Sequence, residues 1–137
     1  MLSIRTKEIT TSDQRIATIE YDTEADILEI FFDSINTTTA VHLHDSIVLR
    51  MNQINERPSG LIVIGYSTLI EPTAIGPRSI PLNRLDSLTD ELYKMVVSII
   101  TSPPISDILK VSSYFPNKSQ RVTLAYFDCP DATALAA

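Results

Sequence analysis

Glu20-Tyr21-Asp22-Thr23-Glu24-Ala25-Asp26-Ile27-Leu28-Glu29-Ile30-Phe31-Phe32 is the stretch on which the fold turns. Carboxylates stand at every second position from Asp22 to Asp26, between an incoming β-branched and aromatic run and an outgoing apolar alternation. Such a segment must reverse direction. Asp side chains stabilise a reversal by accepting nearby backbone N–H groups, so 20–32 reads as strand, acidic turn, strand.

Working outward, Arg15 to Tyr21 is the incoming strand, and the polar residues 1–14 read as a flexible lead-in. Leu28, Ile30 and Phe32 alternate with Glu29 and Phe31 in the outgoing strand. Asp33-Ser34-Ile35-Asn36-Thr37-Thr38 is turn chemistry. Thr39, Val41 and Leu43, then Ile47, Leu49 and Met51, repeat the alternation as third and fourth strands. Pro58 and Gly60 mark the next loop. The run Leu61 to Tyr66 is apolar on both faces, as a strand at the centre of a sheet with cover on both sides would be. With connections this short, a five-strand antiparallel meander is the simplest topology.

Pro72, Gly76, Pro77 and Pro81 make 71–83 an irregular crossover. A helix is expected over 87–101, with Ser87 as its cap and Asp90 and Glu91 in its first turn. Leu88, Leu92, Met95, Val96, Ile99 and Ile100 share one helical face, and Pro103-Pro104 ends it. Residues 106–111 read as a short second helix, Arg121 to Phe127 as a last strand, and 129–137 as a loose tail. The fold class is therefore α+β: one domain over 15–128, an antiparallel β-meander with one main helix packed on one face.

The 137 residues are 44% hydrophobic and 20% charged, the composition of a folded domain rather than a disordered chain. A net charge of −6 with no Lys/Arg cluster repels a nucleic-acid backbone. Sparse aromatics and the absence of Trp leave no stacking platform for bases, so no nucleic-acid partner is expected. No apolar run approaches the ~20 residues of a membrane span, and residues 1–8 lack the apolar core of a signal peptide; a cytoplasmic protein with no membrane partner is expected. The single Cys129 excludes an internal disulfide and, within one chain, a cysteine-based zinc site.

Two groups of residues invite chemistry. Asp22, Glu24 and Asp26 have the alternate-residue carboxylate spacing of a calcium loop, but the glycine and glutamate an EF-hand needs at its sixth and twelfth positions are Ile27 and Asp33. The competing structural reading has Asp22 and Asp26 cap the turn while Glu24 is solvated. His42 and His44 are two apart on a strand, so their rings share a face. Pairing Leu28 with Leu43 and Ile30 with Val41 would set Glu29 opposite His42, either as a Glu-His-His metal site or as an ordinary cross-strand pair. No Gly-x-Ser-x-Gly elbow and no phosphate-cradling glycine loop is present.

Tyr21-Asp22-Thr23-Glu24-Ala25-Asp26-Ile27-Leu28-Glu29-Ile30 resembles the signature of a family of small bacterial proteins of unknown function, Tyr-Asp-x-Glu-x-Asp-x-Leu-Tyr-Ile. Asp45 to Leu49 and Gly60 to Ile64 resemble the family's later strands, so the likeness covers about 18–70. Glu29 departs from it where the family favours an aromatic, and Ile64-Gly65-Tyr66 replaces the family's acidic ending. The resemblance implies a small β-meander backed by helix, and no catalytic residue or cofactor. The reading that follows is a non-enzymatic protein-binding or regulatory module. It needs no cofactor and forms a homodimer, because one helix shields one sheet face only; the competing reading has residues 67–86 and 103–127 wrap round to cover the other face within one chain. The alternative is a small metal-dependent hydrolase or nuclease using the acidic turn or the His pair.

Overall fold

The apolar alternation that starts in the quoted stretch becomes the inner face of a six-stranded antiparallel sheet. A computed structural model describes residues 3–32, 39–114 and 123–137. Its first six strands are β1 (Ile4–Thr10), β2 (Ile16–Asp22), β3 (Ile27–Phe31), β4 (Thr39–His44), β5 (Ile47–Asn52) and β6 (Arg57–Ile64). Their order across the sheet is β1-β2-β3-β6-β5-β4. Two meanders, β1–β3 and β4–β6, are thus joined along a β3–β6 seam, with Leu28 paired to Val63 and Ile30 to Leu61.

β6 lies centrally, as its apolar run requires. The neighbour of β3 is the difference from the simplest meander: it pairs with β6 rather than with β4. The contact is close. A Cβ on Gly60 would lie 2.9 Å from the carbonyl oxygen of Ile30, so this position on the seam needs glycine.

The remaining described elements cover one side of this sheet. α1 (Tyr66–Leu69) follows β6 directly, and β7 (Ile80–Pro81), β8 (Leu109–Tyr114) and β9 (Thr123–Phe127) form a small second sheet ordered β7-β9-β8. The main helix, α2 (Asp90–Ile100), starts later than its expected cap: the Thr89 hydroxyl accepts the Leu92 N–H at 3.3 Å. Ser87 instead closes a preceding 3-10 turn by donating to the Arg84 carbonyl. Tyr93, Val96, Ile99 and Ile100 of α2 are buried, joining Ile19, Leu28, Leu49, Leu61 and Val63 in a single core.

Three expectations are corrected. The lead-in expected over 1–14 contains β1, an edge strand fully paired with β2. The short helix expected over 106–111 is a 3-10 turn (Ile105–Asp107) followed by β8, whose Leu109 pairs with Phe127. The tail expected to be loose is α3 (Pro130–Ala136), which begins on Pro130 and buries Ala132. Arg5 ties β1 to that helix by donating to the Leu135 and Ala137 carbonyls, and Lys7 pairs with Asp131. The turn expected at 33–38 and the first two residues of the expected strand 121–127 lie outside the described residues. Among the described residues, no helix is long and apolar enough to cross a membrane.

Candidate functional site

The acidic turn between β2 and β3 is held by the protein's own donors. Asp22 Oδ1 accepts the backbone N–H groups of Glu24 (3.0 Å) and Ala25 (3.2 Å) and the Ser3 hydroxyl (2.9 Å). The Ala25 N–H foremost, with the Ser3 hydroxyl, holds this carboxyl below the usual aspartate range. Asp26 closes the turn with a left-handed backbone (φ 55°), a conformation aspartate tolerates better than most residues.

Asp26 also reaches across to the end of β6. Its carbonyl accepts Gly65 N–H at 2.8 Å, and its carboxylate accepts the Ser67 N–H (3.0 Å), the Ser67 hydroxyl (2.6 Å) and the Tyr21 hydroxyl (2.5 Å). Burial opposes its ionisation, but the Ser67 and Tyr21 hydroxyls outweigh burial and the carboxyl sits below its usual range. Tyr21 is correspondingly pushed up to about 12, by burial first and then by its hydrogen bond to Asp26. Glu24 is exposed. The acidic turn is therefore a clasp joining β2, β3 and α1. Sequence reasoning missed Ser67 as its partner, because no local pattern links positions 26 and 67.

The histidines and Glu29 stand apart. Glu29 pairs with Glu20 and Ile62, and His42 with Val48. Three strand spacings of about 4.8 Å put β3 roughly 14 Å from β4, so neither a Glu29–His42 cross-strand pair nor a Glu-His-His site forms. A register shift between His42 and His44 further separates the two rings' roles. His44 Nδ1 accepts the Ser46 N–H at 3.1 Å and so closes the β4–β5 turn, while His42 is exposed. Among the described residues, no three His, Cys, Asp or Glu side chains gather where they would hold a metal ion.

What the strands do bring together is an uncovered face. Alternate residues of all six strands point away from the core, and no described element packs on them. Its centre is apolar: Phe31 is 41% and Ile64 47% exposed, next to half-buried Ile27, Ile62 and Val48. Ile4 and Ile16 add exposed apolar surface on the β1–β2 side. A shallow depression lined by Ile4, Glu20, Asp22, Ile27 and Glu29 crosses that side. The signal was legible in part, since Phe31, Ala40 and Val48 alternate out of phase with the core residues.

No family model matches this chain, and no curated protein and no solved structure matches it, which leaves the function to be read from the molecule's own geometry.

Proposed function

We propose that this chain is a non-enzymatic protein-binding or regulatory module that works as a homodimer, with the open face of the six-stranded sheet as its docking surface. The observation that carries this reading is the asymmetry of the sheet. All described helices and the second sheet lie on one side, while Phe31, Ile64 and their neighbours stand on the other in contact with water. Exposed apolar residues grouped on one face and rimmed by polar ones mark a surface where a partner docks.

The carboxylates that suggested a metal enzyme are engaged elsewhere. Asp22 Oδ1 and both carboxylate oxygens of Asp26 accept hydroxyl and amide donors of the chain itself, an arrangement that builds a turn. The likeness of Tyr21 to Ile30 to a family signature fits this reading, since Tyr21, Asp22 and Asp26 are the turn's structural members. A cytoplasmic setting is part of the proposal, in keeping with the free, buried Cys129 thiol, which burial pushes up in pKa and so makes a poor nucleophile.

Light scattering coupled to size exclusion tests the proposal. A mass near twice the chain's 15.2 kDa at micromolar concentration is expected. A monomer mass persisting to about 100 μM, a concentration at which a dimer with a micromolar Kd would be almost fully formed, would overturn it. A thermal-shift scan with millimolar manganese or calcium is expected to leave the melting temperature unchanged. A rise of several degrees would instead point to the metal-dependent hydrolase or nuclease.

A further inference from the structure

We infer that the open face is closed by a second copy of this chain, related by a two-fold axis that runs parallel to the strands along the β3–β6 seam, so that Arg50 of each copy meets Glu20 of the other. This rests on the reading of the open face as a dimer surface and goes beyond it by giving the orientation of the two copies and the charges that set it.

The argument is the handedness of charge across the face. On the β1–β3 half the charged side chains of the strand interior are Glu8, Glu20 and Glu29. The basic residues of β1 do not offset them, because Arg5 and Lys7 point to the inner side and bind α3. On the β5–β4 half the interior carries a single charged side chain, Arg50, and no carboxylate; Asp45 sits in the turn and pairs with Arg84. Glu20 and Glu29 are direct cross-strand partners, and like charges placed so repel. Arg50 is exposed and makes no ion pair among the described residues.

The face is thus acidic on one flank, cationic on the other and apolar along the middle. It is complementary to itself under one kind of rotation. A two-fold axis parallel to the strands lays β5 of one copy over β2 of the other, and β6 over β3. A two-fold axis across the strands would lay β2 on β2 and β5 on β5, acidic flank on acidic flank. Register places Arg50 more closely: Thr18, Phe31, Gly60 and Arg50 form one row across the sheet. After rotation, Arg50 faces the second copy's Thr18, with Glu20 one row away at about 7 Å along the strand. Sheets packed face to face lie ~10 Å apart, within reach of an extended arginine.

Size is consistent with a stable pair. Six strands at ~4.8 Å spacing and ~18 Å length give a footprint of roughly 500 Å² per copy, and two such footprints reach the ~1,000 Å² that separates biological interfaces from incidental contacts. The anatomy, an apolar centre with a charged rim, is that of a protein–protein interface.

Charge exchange between two variants tests the inference. Arg50→Glu and Glu20→Arg should each weaken the wild-type dimer at least tenfold in sedimentation equilibrium. Mixed one to one, they should recover most of the lost affinity, since both exchanged contacts between positions 50 and 20 again join unlike charges. Melting curves of the separate variants check that each subunit folds. Should either variant fold poorly, the shape-conserving Arg50→Gln serves instead. It should flatten the salt dependence of wild-type dimerisation between about 50 and 500 mM sodium chloride, where the Debye length shrinks severalfold. A wild-type dimer indifferent to Arg50→Glu and Glu20→Arg, a mixture that fails to re-form the dimer, or a salt dependence that Arg50→Gln leaves unchanged overturns this orientation and leaves the docking surface standing. A wild-type chain that stays monomeric to about 100 μM overturns both.

Discussion

Leu49 and Val48 are neighbours in β5, equally apolar and set on the same strand, yet they belong to two different surfaces. Leu49 is fully buried between β4 and β6 and beneath the helical layer. Val48 points the other way, half-buried among Ile62 and His42. The same division runs through β3 (Ile30 against Phe31) and β6 (Val63 against Ile64). A period of two makes one strand serve two purposes, and a slip of a single residue would exchange them. The inner face holds the subunit together. The outer face is free to vary in service of whatever meets it.

The sharpest way to break this comparison is to place the same charge on both sides. Leu49→Asp should unfold the subunit, since a carboxylate sealed in the core without a partner costs more than about 4 kcal/mol; circular dichroism would report the loss. Ile99→Ala, which opens a cavity where α2 meets the core, should cost roughly 2–5 kcal/mol in urea denaturation, against almost nothing for the exposed Lys94→Ala. Gly60→Ala tests the seam between the halves. Its methyl group would sit 2.9 Å from the Ile30 carbonyl, and about 1–3 kcal/mol of overpacking is expected, read as a lower denaturation midpoint at constant slope.

The clasp gives a pH-dependent effect of smaller size. Asp26 has its folded-state pKa depressed, so its ionised form stabilises the fold above the unfolded value near ~3.9 and that contribution disappears as pH falls through the folded value. Because the carboxylate is only partly buried, Asp26→Asn should cost only on the order of 1 kcal/mol at pH 7. The variant's melting temperature should fall less steeply than wild type between pH 5 and 2. Val48→Asp should have the smallest effect on the isolated subunit, within about 0.5 kcal/mol in a dilute-solution melt, while abolishing the dimer seen by light scattering. Equal damage from Leu49→Asp and Val48→Asp would show that the outer face is structural after all.

How much of this was legible in the chain differs by element. The inner positions from Leu28 to Val63 show in the alternation, as does the face of α2, because burial imposes a period on the residues that carry it. The partner of β3 does not show. Leu28 and Ile30 fit Val41 and Leu43 as well as Leu61 and Val63, and register alone cannot separate two apolar neighbours of the same spacing. β1 escapes notice because an edge strand needs few apolar residues; Arg5 and Lys7 read as polar lead-in until α3 supplies their partners. α3 had a signal in Pro130 at the first helical position with Asp131 behind it. The clasp was half-read: the role of Asp22 is local and follows from turn chemistry, whereas that of Asp26 depends on Ser67, 41 positions away.

The seam also decides when this protein becomes a protein at all. As the chain leaves a ribosome, β3 emerges with its outward edge unpaired, and the strand that covers that edge lies some thirty residues behind it. At ordinary translation rates of about 5–20 residues per second, β3 waits roughly 1.5–6 s for β6, and α2 and α3 come later still. Until then, Leu28 and Ile30 stand bare on one side and Phe31 on the other, along a strand edge ready to pair with any neighbour. A nascent chain of this topology is most vulnerable to misassembly in its first half, and synthesis slowed before Gly60 should lengthen that exposure and lower the yield of folded subunit.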